Sequence, residues 1–436
     1  MSDKFDVAIV GAGPSGSAAA LTLAKAGLSV VVFERGEFPG SKNMFGGVLY
    51  TPILDKLVPN FWEEAPLERH IVKRRFGLFS ESSEAAFEFR CEDFNQKPPF
   101  NQSFSALRAQ FDPWLAKKAE DAGALIIPET VVDDLLWKDG KVIGVKARRE
   151  GGEIEADVVI AADGVNSFLA KKSGLRKDFT LNVLAVAAKE IIALPRGTIE
   201  DRFGLEGDEG LAMECFGDVV AGTVGAGFIY TNKETLSVGV ACSINAFIDK
   251  KIVPNDLLER FKSHPSIRRL IRCGETLEYS GHMIPEGGHK QVPEVIADGL
   301  LLVGDAAHLV NASFYHEGTN LAMASGLFAA ETIIEAKKKE DFSQRGLKGY
   351  LKKLEDSFVL KDLKKYRQVE DWAHKNNRFF KEYPDLMLDV LKDYFTISEM
   401  PKAIIQQNIV KKLRSRLKPL RTLVELNRFR KSFFSS

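Results

Sequence analysis

Cysteine is scarce in this 436-residue chain, and its few cysteines form no CxxC or CxxxC group. They are Cys91, Cys215, Cys242 and Cys273. Such wide spacing argues against cluster ligation by this chain and against a disulfide framework. We therefore expect four free thiols that act as small, buried, apolar side chains, a pattern that suits the cytoplasm.

Long apolar runs are also missing. A helix that spans a bilayer needs about 20 consecutive apolar residues, and the nearest candidate, Val219–Tyr230, is short and rich in glycine. The apolar start, Val7–Val10, belongs to a nucleotide-binding strand and does not form a signal peptide. The sequence predicts a protein that is soluble or lies on a membrane without crossing it.

Neither sign of charge dominates, because 60 Lys and Arg balance 60 Asp and Glu. This balance argues against nucleic-acid binding by the whole chain. The seven histidines lack metal-ligand spacing, and the sequence shows no HExxH and no nucleophile–base pair. We therefore predict no metal site.

The most informative motif is a glycine-rich turn between a strand and a helix. Gly11-Ala-Gly13-Pro14-Ser15-Gly16 follows an apolar strand, and Glu34 ends the next strand. In this fingerprint the glycines permit a tight turn, close approach of a pyrophosphate and close packing of the helix, whereas the acid suits a ribose hydroxyl. The segment predicts dinucleotide binding.

Two later segments indicate which dinucleotide is bound. A strand ends at Asp163-Gly164, and another delivers Gly304-Asp305 shortly before a helix that begins near Gly318. Asp305 could accept a hydrogen bond from a ribityl hydroxyl, and the helix could direct its positive end at a flavin. Together the three blocks resemble the FAD-binding pattern of the glutathione-reductase-type flavoproteins, the branch of the aromatic hydroxylases and geranylgeranyl reductases. Arg108 matches an arginine that reaches the FAD in that branch; its alternative is a surface helix cap.

Finer motifs are similar to the FixC and electron-transfer-flavoprotein:quinone oxidoreductase group. They are residues 40–47, 225–231, 281–288 and 316–320. Archaeal geranylgeranyl reductases tend to have a cysteine where this chain has Met44. The fused quinone oxidoreductases carry a C-terminal ferredoxin domain that this sequence lacks. The resemblance therefore implies a FixC or EtfC-type subunit whose iron–sulfur cluster lies in a partner.

The resemblance also implies site residues. For FAD these are Gly11, Gly13, Pro14, Ser15, Gly16, Glu34, Arg35, Lys42, Asn43, Met44, Gly46, Gly47, Arg108, Val132, Asp163, Gly164, Gly304, Asp305, Glu317, Gly318 and Asn320. For the quinone they are Gly225, Phe228, Tyr230, Pro285 and Gly287; the alternative for this group is a tightly packed sheet with glycine bulges. His316 could relay a proton or donate to a quinone oxygen, or could simply hydrogen-bond within its loop.

The expected fold class is α/β, with a Rossmann-like FAD domain, an inserted antiparallel β-sheet domain and a helical C-terminal region. We expect an FAD domain at 1–70, 105–175 and 295–345, a sheet domain at 71–104 and 176–294, and helices at 346–436. Asp139-Gly140 predicts a hairpin turn. Trp372, with three aromatic residues after it, predicts a small helical core.

The last segment combines an apolar stripe with cations. The stripe is Ile405, Ile409, Leu413, Leu417, Leu420 and Val424, which Pro419 should interrupt. We expect peripheral attachment to the cytoplasmic face of a membrane, with Phe429, Phe433 and Phe434 entering the interface. The alternative is packing on the protein body or on an acidic partner.

Three functions follow from the resemblance. The first is transfer of electrons from an electron-transfer flavoprotein, with its α and β subunits, through a ferredoxin-like partner and FAD to membrane quinone. The second is reduction of an isoprenoid double bond, as in geranylgeranyl reductases. The third is a non-catalytic, flavin-binding assembly subunit.

Overall fold

The computed structural model describes residues 4–42 and 47–434, which fall into two compact units. Unit 1 comprises Met1–His70, Lys97–Leu184 and His282–Arg367. Unit 2 comprises Ile71–Gln96, Ala185–Gly281 and Gln368–Ser436. Each unit is therefore assembled from three separated segments of the chain.

The secondary structure alternates between strands and helices throughout unit 1 and ends in helices in unit 2. The strands are β1 Phe5–Val10, β2 Val30–Phe33, β3 Val48–Tyr50, β4 Leu67–Phe79, β5 Glu84–Arg90, β6 Ser103–Ala106, β7 Leu125–Ile127, β8 Val132–Lys138, β9 Lys141–Ala147, β10 Glu153–Ala161, β11 Leu184–Ala193, β12 Glu209–Gly217, β13 Gly225–Thr231, β14 Thr235–Ser243, β15 Glu275–Pro285, β16 Ile296–Ala297 and β17 Leu300–Leu302. The α-helices are α1 Pro14–Lys25, α2 Pro52–Leu57, α3 Arg108–Asp121, α4 Phe168–Lys172, α5 Arg196–Phe203, α6 Ile244–Lys250, α7 Pro254–Ser263, α8 Pro265–Ile271, α9 Thr319–Lys337, α10 Gly349–Asp356, α11 Phe358–Lys365, α12 Val369–Lys375, α13 Glu382–Phe395, α14 Lys402–Arg416 and α15 Pro419–Phe434.

Unit 1 is built on a sheet in the order β16-β17-β10-β1-β2-β7, parallel except for the β16–β17 pair. Its central strands are apolar, and β2 is buried at every residue, as in a parallel sheet covered on both faces. Helices α1 and α9 pack closely because Gly326 has no side chain. A Cβ at Gly326 would lie 2.1 Å from the Ser15 carbonyl oxygen. This packing fixes the first turn of α1.

The predicted hairpin is confirmed between β8 and β9. Asp139 and Gly140 have φ values of 51° and 79°, as the two central residues of a type I′ turn require. β9 also pairs with β10, so this antiparallel ladder extends the parallel sheet.

Unit 2 contains the predicted antiparallel sheet, in the order β15-β11-β14-β13-β12-β4, with β5 paired to β4. One face of the sheet carries the hydrophobic core, onto which helix α7 packs. Phe261 of α7 lies against Gly227 of β13, where a Cβ would be 2.7 Å from its ring. Glycine therefore allows the helix to approach this face.

The C-terminal helices confirm the predicted aromatic core and the interruption at Pro419. Trp372 lies 4.9 Å from Phe379 and 5.2 Å and 5.4 Å from Phe429 and Phe433, measured between ring centroids. The expectation that Phe429 and Phe433 enter a membrane was wrong. They complete this core, in which Phe433 is only 8 % exposed.

Two cysteines also differ from expectation. Cys215 and Cys242 are buried as predicted, whereas Cys91 is half-buried and Cys273 is exposed. Cys273 lies in the turn before β15, is exposed, and has a φ of 63°. All four cysteines are free thiols.

Candidate functional site

The glycine-rich turn lies at the carboxyl end of β1, where parallel strands expose their loops to ligands. Gly11 has a φ of 102°, and a Cβ there would be 2.3 Å from the Ala162 carbonyl oxygen. A Cβ at Gly16 would be 1.9 Å from the Gly11 carbonyl oxygen. These two glycines are required by the protein's own backbone packing.

Gly13 differs from its two neighbours. No protein atom lies within 4 Å of a Cβ built at Gly13, the residue that caps helix α1. No side chain caps this helix, and its first turn contains no acid. The open space and the helix N-terminus together suit a phosphate group.

Glu34 follows β2 directly, beside this turn, and is 8 % exposed. Its carboxylate accepts hydrogen bonds from the backbone N–H of Ala12 at 2.9 Å and of Gly36 at 2.6 Å. These bonds fix its orientation, while each oxygen keeps a further lone pair for a ribose hydroxyl.

The segment after β17 meets both long helices of unit 1. Gly304 has a φ of 60°, and a Cβ there would lie 2.8 Å from Ser15 Oγ. Its N–H donates to Ser325 Oγ of α9 at 2.9 Å. Asp305 follows, half-buried, and burial raises its pKa to about 6 although the charge of Arg108 opposes the shift. The chain thus brings Asp305 near the α1 N-terminus and Arg108.

Arg108 is the first residue of α3 and is 7 % exposed, so the surface-cap alternative was wrong. Its guanidinium donates to the two carboxylate oxygens of Asp112 at 2.5 Å and 2.7 Å. Gly40, with a φ of 86°, leaves room for Asp112, since a Cβ there would be 2.7 Å from the Asp112 Cβ. The buried pair places a fixed cation in the field of Asp305.

Asp163 lies two residues after the end of β10 and accepts a hydrogen bond from Ser167 Oγ at 2.6 Å. Burial raises its pKa, and the bond from Ser167 opposes the rise. Gly164 has a φ of 75° with no protein atom within 4 Å of an added Cβ. As at Gly13, the backbone here faces open space.

Sequence reasoning missed Arg176, which joins two loops of the site. Its buried guanidinium donates to the carbonyl oxygens of Val165 at 3.0 Å and of Ala306 at 3.2 Å. It also lies 4.1 Å from the centre of the Phe179 ring. No local motif identifies this arginine, because its partners are carbonyl groups of residues as distant as Ala306.

His308 was also missed, although it belongs to the segment that was singled out. It is 1 % exposed, has a φ of 58° and lies 4.2 Å from Phe179 between ring centroids. Burial lowers its pKa to about 3, and the charge of Arg176 adds to the effect. Neither ring nitrogen has a protein hydrogen-bond partner, an unusual state for a buried polar group.

The segment before α9 is held by Glu317. Its carboxylate accepts from Asn311 Nδ2 at 2.9 Å and from Asn320 Nδ2 at 2.8 Å. His316 precedes it, exposed and with a φ of 48°. Burial raises the pKa of Glu286, which belongs to the motif 281–288, to about 7, while the charge of His316 opposes the rise. The structure thus places His316 near a second titratable side chain.

Among the other FAD residues expected from the sequence, Arg35, Lys42, Gly47 and Val132 lie within the described residues. Gly47 accepts from the Ala106 N–H at 2.9 Å, next to α3. Lys42 and Arg35 are exposed, and Val132 begins β8. The predicted Asn43, Met44 and Gly46 lie outside the described residues.

The proposed quinone residues of unit 2 divide between two sheet faces. Phe228 and Tyr230 share one face, with ring centroids 4.9 Å apart. Gly225 points to the other face, where a Cβ would lie 2.4 Å from Cys242 Sγ. Because side chains alternate along a strand, Gly225 serves core packing on the face opposite the two rings.

The face with Phe228 carries two buried charges that sequence reasoning missed. Four cross-strand neighbours lie in a row on this face: Glu214 of β12, Phe228 of β13, Gly239 of β14 and Lys189 of β11. Lys189 is 2 % and Glu214 5 % exposed. Their signal in the sequence was a charged residue within a largely apolar strand.

In unit 1, Pro285 is buried at the end of β15, and the following N–H, of Glu286, donates to the Val183 carbonyl at 2.8 Å. A Cβ at Gly287 would be 2.2 Å from Gln291 Cγ, so protein packing alone requires this glycine. The next residue, Gly288, has a φ of 55° and open space around it.

The residues of unit 1 fit an FAD. Gly13 and Gly164 leave space beside the backbone, and Glu34 is an acceptor fixed by two backbone hydrogen bonds. Asp305 is a half-buried carboxyl shortly after β17, and His308 has unpartnered buried nitrogens. The turn at Gly13 would hold the pyrophosphate, Glu34 the ribose and Asp305 the ribityl chain. When bound, the flavin supplies the electron-carrying chemistry, and the protein orients it and tunes it. Among residues 4–42 and 47–434, no group of His, Cys, Asp or Glu is placed to hold a metal ion.

Comparisons with known proteins agree with this fold and site. A family model described as FAD dependent oxidoreductase matches residues 6–172, and the ETF-QO/FixC family C-terminal domain matches residues 369–433. Protein FixC of Azorhizobium caulinodans is 47% identical over 92% of each chain. Protein FixC of Azotobacter vinelandii is 46% identical over 94% of this chain and 95% of that one.

Solved structures share the fold. A geranylgeranyl bacteriochlorophyll reductase-like protein from Thermoplasma acidophilum has a TM-score of 0.72 at 23% identity, covering 95% of this chain and all of that one. The flavin-dependent brominase Bmp2 has a TM-score of 0.64 at 18% identity, with 95% and 100% covered. At these identities the likeness shows the fold alone.

The fold and the nucleotide site define an FAD-dependent oxidoreductase, as the first family model also indicates. The high sequence identity to curated relatives, over nearly their whole length, identifies the family. The chain belongs to the FixC and electron-transfer-flavoprotein:quinone oxidoreductase family, and acts in electron transfer.

Proposed function

We propose that the protein passes electrons from an electron-transfer flavoprotein, through a ferredoxin-like iron–sulfur partner and its own FAD, to a membrane quinone. The observation that carries the proposal is the family match at 369–433 in a chain whose unit 1 fits FAD. Reduction of a quinone to its hydroquinone takes two electrons and two protons. When bound, the flavin would supply the electrons, and side chains of the protein would supply the protons.

The quinone head group is assigned to the sheet face of unit 2 that carries Phe228 and Tyr230. The half-buried Tyr230 stacks on the buried Phe228, and Gly239 beside them has no side chain, so the pair can present an aromatic surface. A Cβ at Gly239 would lie 2.3 Å from the Phe228 ring, so this glycine lets the ring lie flat on the sheet. A quinone ring can stack on such a surface.

Proton transfer is assigned to His316 with Glu286. Glu286 follows the buried Pro285 and is held by its backbone bond to Val183. The pKa of Glu286, raised to about 7, lets its carboxyl gain and lose a proton near neutral pH. His316, exposed at the surface of unit 1, could exchange that proton with solvent.

The test uses the purified protein with FAD, a reduced ferredoxin-like donor and a short-chain quinone. Electrons should reach the quinone only when protein and donor are both present. Phe228→Leu should lower the rate at least about tenfold. Ile229→Val, on the opposite face of the same strand and fully buried in the core, should leave it unchanged. Equal rates for the two variants would remove this face from quinone binding.

The same assay addresses the other acceptor class. Incubation of the reduced protein with a geranylgeranyl substrate should give no saturated prenyl product. A saturated product, with no quinone reduction, would replace the proposed acceptor by an isoprenoid double bond. Flavin that neither donor nor acceptor oxidises or reduces would instead indicate an assembly subunit.

A further inference from the structure

The helical hairpin of α13 and α14 in unit 2 ends in an exposed apolar tip. Two ion pairs join its helices: Asp393 contacts Lys412, and Asp389 contacts Arg416 at 2.8 Å. Both helices are further fixed by burial of Leu388 on one and of Ile405 and Ile409 on the other. The residues between the two helices are therefore held at the end of an ordered hairpin.

We define the hairpin tip as residues 394–404. Its large apolar side chains are exposed: Tyr394 55 %, Phe395 70 %, Ile397 86 %, Met400 45 % and Ile404 44 %. The backbone around them is ordered by local bonds, such as Thr396 N–H to the Lys392 carbonyl at 3.0 Å. An ordered, protruding cluster of this kind is a candidate interaction surface, because single exposed apolar residues are ordinary but a contiguous group is not.

The charges around the tip indicate what it contacts. From residue 394 to 418 the sequence has six cations and one acid, Glu399. Lys412 and Arg416 pair with α13, whereas Lys402, Lys411, Arg414 and Lys418 are exposed and form no ion pair within the described residues. Lys402 lies in the tip itself, and the other three exposed cations follow along α14 and just after it. Exposed apolar side chains with such cations complement an anionic surface.

We infer that the hairpin tip inserts into the interface of an anionic lipid bilayer, with Phe395, Ile397 and Met400 among the acyl chains and the α14 cations at the head groups. A stable protein–protein interface needs about 20–30 residues a side, and the tip has eleven. Its most exposed side chain, Ile397, is 86 % exposed, so almost all of its apolar surface is available to the acyl chains.

The inference deepens the proposed function, because a quinone with a long isoprenoid tail stays in the bilayer and its reductase must reach it. It replaces the anchor expected from the sequence. Phe429 and Phe433, at the end of the chain, are committed to the aromatic core around Trp372. Of the apolar stripe, Ile405 and Ile409 pack inside the protein, whereas Val424 is 49 % exposed. The tip that precedes the stripe exposes all five of its large apolar side chains named above.

The test is flotation of the FAD-loaded protein with quinone-free vesicles of phosphatidylglycerol or of phosphatidylcholine. Wild-type protein should float with phosphatidylglycerol at low salt and much less with phosphatidylcholine. The triple variant Phe395→Ser, Ile397→Ser, Met400→Ser should bind at least about tenfold more weakly. Quinone is absent, so this outcome is independent of turnover, and short-chain quinone reduction should be unchanged in the variant.

The matched control changes three exposed apolar residues elsewhere in unit 2. They are Ile248, Val253 and Leu277, which are 55 %, 55 % and 59 % exposed. Their triple serine variant should float like wild type. A second variant, Lys411→Gln with Arg414→Gln, should lose most of the salt-sensitive binding but keep its FAD and its melting temperature.

Three results would overturn the inference. The first is equal flotation of the wild type and the tip variant. The second is a wild-type dimer in solution that the tip variant breaks, with no flotation of either, since the tip would then join two copies. The third is loss of binding to the electron-transfer flavoprotein in the tip variant without any lipid binding by wild type, since the occupant would then be a protein.

Discussion

The open space at Gly13 leads to a prediction that separates cofactor binding from folding. In the free protein, valine at Gly13 should cause no strain. The residue has φ and ψ of −71° and −176°, an extended conformation that valine adopts readily, and no protein atom lies within 4 Å of the added Cβ. We expect Gly13→Val to change the free energy of unfolding of the apoprotein by no more than about 0.5 kcal/mol.

In the FAD-bound protein the same side chain should occupy the space of the pyrophosphate. Overpacking of this kind costs about 1–3 kcal/mol, and loss of close contact with the helix N-terminus adds to it. The dissociation constant for FAD should therefore rise by about ten- to several-hundredfold. The assay is titration of the apoprotein with FAD, followed by flavin fluorescence, with thermal unfolding measured in parallel.

Gly197→Val is the matched control. Gly197 also has no atom within 4 Å of an added Cβ, but it lies in α5 of unit 2. It should leave FAD affinity unchanged. Wild-type FAD affinity in Gly13→Val would refute the placement of the pyrophosphate. Equal destabilisation of its apo and FAD-bound forms would show that the glycine serves the fold alone.

Other variants test the packing and the charges of unit 1. Gly326→Ala places a Cβ 2.1 Å from a backbone oxygen of α1 and should lower the free energy of unfolding, measured by urea denaturation, by about 1–2 kcal/mol. Its control, Gly349→Ala, has its nearest atom 3.5 Å from the added Cβ and should not lower it. Arg176→Lys should lower the free energy of unfolding by about 2–4 kcal/mol and weaken FAD binding, because it removes bonds to carbonyl oxygens of the site. Its control, Arg202→Lys, also loses bonds to carbonyl oxygens, but in unit 2, and should not weaken FAD binding. Burial raises the folded pKa of Glu286 from 4.5 to about 7, so its stabilisation is complete below pH 4.5 and is lost as pH rises through 7. The free energy of unfolding of Glu286→Gln should therefore rise by about 2–3 kcal/mol relative to that of wild type as the pH is raised from 5 to 8. The same pH dependence of stability in both proteins would contradict the raised pKa.

The nucleotide-binding turn was predictable because its physical requirements are local. Gly11 needs a positive φ and Gly16 close packing on the same turn, and both needs are visible as glycine at fixed spacing. The position of Glu34 was predictable because the helix between the two parallel strands has a typical length. The sequence pattern thus identified a site whose parts lie within thirty residues of one another.

The features that the sequence did not predict depend on contacts between segments that are distant in the chain. Arg176 binds carbonyl oxygens that carry no side-chain signature, so no pattern marks it. Whether Phe433 faced lipid or protein was decided by Trp372, sixty residues earlier. The separation of Gly225 from Phe228 was in principle visible, since residues three apart on a strand face opposite sides.

Reoxidation of the reduced flavoprotein by quinone tests the central proposal most directly. The protein with bound FAD is reduced anaerobically and mixed with a short-chain quinone, and flavin absorbance is followed in a stopped-flow instrument. We predict rapid reoxidation with one hydroquinone formed for each two electrons, slowed at least about tenfold in Phe228→Leu and unchanged in Ile229→Val. Flavin that stays reduced with every quinone, yet is reoxidised by ferricyanide, would contradict the account.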